Sequence, residues 1–282
     1  MKHFASGLLS KMSVNLPDNA GEQVSYQLKL GDSVIDMNQF IGKSIRLNFQ
    51  SKITCQHCGR TTKKSFSQGY CYPCMTKLAQ CDRCMMAPEN CHFHKGTCRE
   101  PEWGEQYCFT SHYVYLANSS GVKVGITRGN QIPTRWIDQG AIQALPIFKV
   151  ASRYQSGLVE RVFGKQISDK TNWRVMLKGG NPSIDLEAER DRLFEHCYEE
   201  IEEIQQEFGL MAIQHLYDEK VVEINYPVDE YPLKVTSQNL DKTPIVEGVL
   251  KGIKGQYLIL DSGVINIRKF TSYQIEFYAE VD

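Results

Sequence analysis

HYVYLANSSGVKVGIT, residues 112–127, decides how the middle of this chain is read. Two runs of β-branched, aromatic and aliphatic residues flank the polar Asn118-Ser-Ser-Gly121, the composition of a β-hairpin. The turn length sets which side chains share a face. A four-residue turn at 118–121 puts Tyr115 opposite Val124 and sends Lys123 to the other side of the sheet. A five-residue loop from Ala117 to Gly121 puts Lys123 opposite Tyr115 instead.

Outward from the hairpin, residues 109–180 continue as apolar strands and helices. Residues 181–217 read as one long acidic helix: Ser183 caps it, Leu186, Leu193, Phe194, Cys197, Ile201, Ile204 and Phe208 form its apolar stripe, and Gly209 ends it. Strand-like runs separated by Gly-Asp, Gly-Lys and Asp-Ser-Gly turns fill 1–50 and 218–282. The C-terminal run reads as an antiparallel sheet or small barrel, completed by the N-terminal strands. The fold class expected is α+β: a small mixed core with a cysteine-rich module at 51–108, the acidic helix and the C-terminal β domain.

Eight of the ten cysteines lie between Cys55 and Cys98, where aliphatic residues are sparse. Such a segment cannot build a core from side chains and needs a metal staple. No stretch resembles an export signal or a membrane span, so a cytoplasmic protein with reduced, metal-binding thiols is expected. Cys55-x-x-Cys58 and Cys71-x-x-Cys74, twelve residues apart, have the spacing of two zinc knuckles that close a tetrahedral structural site. A second cluster follows: Cys81, Cys84, Cys91, His92, His94 and Cys98. Its expected ligands are Cys81, Cys84, Cys98 and either Cys91 or His94. The nearby histidines favour zinc over an all-cysteine iron–sulfur site. Cys108 and Cys197 read as ordinary thiols.

The net charge of −1 hides an asymmetry. Residues 51–180 carry 18 Lys and Arg against 8 Asp and Glu, whereas 183–208 carry 2 against 10. A basic, cysteine-rich middle is the footprint of a nucleic-acid surface, DNA or RNA, with Arg60, Lys63, Lys64, Lys77 and Arg128 as phosphate contacts. The acidic face leaves room for a protein partner.

Residues 112–177 resemble the GIY-YIG nuclease superfamily, in the branch whose second motif reads Lys-Val/Ile-Gly-Ile-Thr. Val114-Tyr115 looks like the end of the first triplet, with Tyr113 where glycine is usual, and Lys123-Val124-Gly125 looks like the second. Pro133–Gly140 resembles the helix that carries the family arginine, here Arg135. Glu160 sits where the metal-binding glutamate sits, and Asn172 resembles the late asparagine. The whole chain also resembles an uncharacterised bacterial family that joins such a core to a cysteine cluster.

The resemblance implies metal-dependent endonuclease chemistry. Glu160 holds one Mg²⁺ or Mn²⁺, Arg135 grips the scissile phosphate, Asn172 fixes the site, and Tyr115 activates water once nearby cations lower its pKa. Lys123 replaces a tyrosine usual in the family. It either serves this chemistry or marks an inactive zinc protein that binds nucleic acid or a protein partner.

Overall fold

Strand alternation builds the first of two units into which the chain of this computed structural model divides; residues 1–19 and 21–281 are described. Tyr273–Ala279 alternates strictly between buried and half-buried side chains, the pattern of a sheet with one face on the core. It lies between Lys2–Leu8 and Ser44–Thr54 in an antiparallel seven-stranded sheet, which continues through Ile245–Lys254, Tyr257–Leu260 and Gly263–Asn266. Ser13–Asn15, Ser25–Leu30 and Ser33–Asp36 form a separate three-stranded sheet. The N-terminal strands therefore do complete the C-terminal ones, as open sheets without barrel closure among the described residues. Gln256 ties the ends together by exchanging two hydrogen bonds with the backbone of Met12, 2.8 and 3.0 Å. This unit comprises Met1–Thr76, Leu177–Gly180 and Ile224–Asp282.

The second unit, Lys77–Met176 with Asn181–Glu223, carries the hairpin. His112–Asn118 is central in an antiparallel sheet, between Val122–Arg128 and Gln143–Val150, with Ile213–His215 and Val222–Glu223 also paired to the latter. Val114, Leu116, Val124, Leu145 and Phe148 pack with Val159, Val162 and Phe163 of the helix Arg153–Phe163. Leu186, Leu193, Cys197 and Ile201 complete that core.

The expected single acidic helix is two helices, Leu186–His196 and Tyr198–Phe208, joined at Cys197, whose φ/ψ of −103°/11° lies outside the helix. Its apolar stripe still faces one core because Cys197 is itself buried there. Asp185, not Ser183, caps the first helix by accepting from the Ala188 amide. Ser183 instead accepts from the Gln143 side chain at 2.7 Å. No helix among the described residues is long and apolar enough to cross a membrane.

Candidate functional site

The hairpin takes neither expected register. Asn118 pairs with Val122, leaving a three-residue loop, Ser119-Ser120-Gly121, so that Tyr115 faces Gly125 and Lys123 faces Ala117. The shift is by two residues from the five-residue loop, which preserves parity, so Tyr115, Ala117, Lys123 and Gly125 share one face of the sheet. Gly125 is required by its neighbour: a Cβ there would sit 2.7 Å from the Tyr115 hydroxyl.

Beneath this face, Gln139 accepts hydrogen bonds at its Oε1 from both the Tyr115 hydroxyl (3.0 Å) and the Lys123 ammonium (2.5 Å). Gln139 follows the short helix Thr134–Asp138, which carries Arg135, and Trp136 of that helix meets the Tyr115 ring edge-on at 6.0 Å. Tyr115 is fully buried and Lys123 is 4% exposed, whereas Arg135 and Glu160 are half-buried.

Burial lowers Lys123 to about 8, with the charge of Arg135 acting in the same direction and those of Glu160 and Asp169 against it. Burial raises Glu160 to about 7, assisted by Asp169 and opposed by Arg153 and Arg135. The expectation for Tyr115 is reversed. Burial pushes its phenol up to about 12, outweighing Arg135 and the Gln139 bond, so it is no ready base.

Two residues of this cluster were not singled out by sequence reasoning. Gln139 stands in the Arg135 stretch, and Asp169 in the stretch quoted for Asn172. Asp169 is brought in because the Val124 amide donates to the Ser168 carbonyl (2.9 Å), running that segment along the hairpin edge. Asn172 has another task. It is exposed, and its Oδ1 accepts from the amides of Arg174 and Val175 to cap Trp173–Met176. Its own amide donates to Ser120 in the hairpin loop.

Of the basic residues, Arg60, Lys63, Lys64 and Lys77 are exposed, with the Lys64 ammonium 5.4 Å above the Phe66 ring. Arg128 is half-buried over the ring of Tyr107, at 5.2 Å.

Cys55, Cys58, Cys71 and Cys74 converge in the first unit with their sulfurs all within 4.8 Å, an arrangement compatible with a zinc site. Cys58 and Cys71 Sγ are 3.7 Å apart, the edge of a tetrahedron with ~2.3 Å metal–sulfur bonds. Burial raises the Cys55 thiol, but the amides of Cys58, Cys71 and His57 overcome it and bring it to about 6. Cys74 is pushed up to about 12 by burial and the neighbouring thiols. Four such groups ionise together only around a cation.

The second expected ligand set is not what the fold assembles. Asp82, Cys84 and His92 lie within 4.8 Å of one another, but the aspartate and the histidine are already engaged. Asp82 binds Arg99 at 2.6 Å and His92 at 3.5 Å, and the other ring nitrogen of His92 meets the Thr97 hydroxyl at 2.8 Å. His94 packs beside the Tyr154 ring. Cys84, Cys91 and Cys98 do line one cavity, joined by Cys108 rather than Cys81 or His94. The place of Cys108 beside this cavity was not legible because it lies ten residues on, at the end of the helix Pro101–Cys108.

A family model described as "Protein of unknown function (DUF2797)" matches residues 42–275. The chain belongs to the DUF2797 family. The match spans both cysteine clusters and the hairpin of this DUF2797 protein. No curated protein and no solved structure matches it.

Proposed function

We propose that this DUF2797 chain hydrolyses phosphodiester bonds of nucleic acid at the Tyr115–Lys123–Arg135–Glu160 cluster. The observation that supports the reading best is the shared face of Tyr115 and Lys123, where the charges of Lys123, Arg135, Glu160 and Asp169 act on one another. Glu160 and Asp169 would hold a divalent cation, because the Asp169 charge helps raise Glu160 to about 7 and a bound cation would relieve that repulsion. Mg²⁺ or Mn²⁺, when bound, supplies charge neutralisation for the phosphoryl group.

Arg135 offers a planar fork to phosphate oxygens. Lys123, at about 8, titrates near working pH and exchanges a proton with the attacking or leaving oxygen. Tyr115 holds Gln139 and so fixes the Lys123 ammonium. Zinc at Cys55, Cys58, Cys71 and Cys74 stiffens the segment that presents Arg60, Lys63 and Lys64 to the backbone of DNA or RNA.

The test is cleavage of DNA and RNA hairpins, forks and single strands with Mg²⁺ or Mn²⁺. Glu160→Gln and Lys123→Met should each lower the rate by roughly 10²–10⁴-fold with the fold intact. No cleavage of any substrate by the parent protein removes this reading.

The near-complete burial of Tyr115 and Lys123 favours a second reading, in which the cluster is structural and the protein binds nucleic acid without cutting it. Salt-sensitive binding that survives Glu160→Gln but weakens in Lys63→Ala/Lys64→Ala is its signature.

A further inference from the structure

The short helix Trp173–Met176 is pinned at both ends. Before it, the Asn172 amide donates to the Ser120 hydroxyl at 2.9 Å, and the Thr171 and Ser119 hydroxyls share a hydrogen bond at 2.9 Å, which ties the segment to the hairpin loop. At its end, Met176 is buried against Gly140, where a Cβ would sit 2.5 Å from the methionine sulfur. Gly140 closes the stretch that carries Arg135 and Gln139. Upstream, Ser168 pairs with Lys123 and is followed by Asp169. The helix therefore runs between the two elements that present Lys123 and Arg135.

On this fixed backbone Arg174 is exposed, and the carbon of its guanidinium lies 4.2 Å over the ring of the half-buried Trp173. That guanidinium pairs with no carboxylate among the described residues. Stacking uses the face of the group and leaves its edge N–H donors for oxygen acceptors. Lys170, four residues earlier, is exposed as well. An arginine over a tryptophan on a free loop would be ordinary surface chemistry. Here the pair is held in place beside the Lys123 and Arg135 elements, with a cation still lacking its anion.

We propose that Trp173 and Arg174 form a platform on which one unpaired base of a nucleic acid stacks. Resting on the nucleic-acid reading above, the platform adds its substrate class: single strands, or strands with unpaired ends or bulges, in preference to continuous duplex. An unpaired base offers a π-face that stacks on an aromatic ring or on a guanidinium plane. Inside a duplex that face is covered by the neighbouring bases, and exposing it costs unstacking. The phosphate beside the base supplies the anion that Arg174 lacks, and Lys170 adds a second cation. An acidic protein segment would satisfy the cations and leave the indole unused. Asn172 serves the platform from beneath, since its side chain accepts from the Arg174 and Val175 amides.

The test uses the full chain without divalent cation, with DNA and RNA strands of roughly twelve nucleotides and blunt duplexes of the same sequence. The parent should bind the single strand at least about fivefold tighter than the duplex, and Trp173→Ala should lose at least about fivefold on the single strand. Trp173→Phe should keep most of that affinity. Arg174→Ala should lower the slope of log affinity against log salt by about 0.7, the value of one phosphate contact on a single strand. A strand carrying one iodouracil, irradiated in the complex, should crosslink to Trp173, as mapped by mass spectrometry. Equal affinity for strand and duplex, crosslinks only to other residues, or a folded Trp173→Ala that binds like the parent would each overturn the proposal. A chain that stacks the base but cuts nothing loses the hydrolytic reading alone, whereas one that cuts without this preference loses the platform alone.

Discussion

At Lys123 an ammonium group has lost nearly all of its water and gained one amide oxygen, that of Gln139. Its shift to about 8 and that of Glu160 to about 7 leave opposite marks on stability. Glu160 holds its proton in the folded chain between pH 4.5 and 7, where the unfolded chain releases it, so folding loses stability as pH rises through that window. Lys123 is neutral when folded and charged when unfolded between about 8 and 10.5, so stability recovers as pH rises there. Without added divalent cation, Glu160→Gln should therefore match the parent near pH 4.5 and exceed it by roughly 2 kcal/mol at pH 7.5 in urea melts, partial hydration reducing the full value. Gly125→Ala inserts a methyl group against the Tyr115 hydroxyl and should cost about 1–3 kcal/mol by the same assay. The hairpin was legible from residue order alone. The phenol's burial was not, because desolvation depends on Trp136 and Gln139, which only the folded chain brings over Tyr115.

At the scale of elements, one buried glutamine joins three of them. The Gln143 side chain accepts from Asn118 (3.0 Å) and from the Ile184 amide (2.9 Å), and donates to Ser183 (2.7 Å) and Glu223 (3.0 Å). This explains the register that sequence missed. Asn118 looks like a turn residue, but its side-chain amide donates to Gln143 and to the Pro182 carbonyl (2.9 Å), which draws it into the strand and shortens the loop to three residues. Gln143→Leu strands these partners and should destabilise by about 2–4 kcal/mol in denaturant melts, more than a typical single hydrogen bond. The break at Cys197 had no local signal either, since no proline or glycine marks it and the apolar spacing runs through.

For the molecule as a whole, the cysteine-rich stretch that reads as one module is divided: Cys55–Cys74 belongs to the first unit and Cys84–Cys108 to the second. Local spacing made the first set legible through its paired knuckles, whereas the second gathers from separate turns that have no common spacing rule. Cys55→Ser should remove about one zinc per chain and speed amide exchange in the small strand Thr61–Thr62, which pairs with Ile53 and Thr54 between the two knuckles. The first unit is also discontinuous in sequence, and this orders its birth. Lys2–Leu8 is synthesised long before its partner Tyr273–Ala279, which also pairs with Ser44–Thr54. The inserted unit, whose segments are all synthesised by residue 223, is complete while those N-terminal strands still wait. Removing Tyr273–Ala279 thus takes away the strand that bridges Lys2–Leu8 to Ser44–Thr54, and the first unit's sheet closes only once that strand has been synthesised.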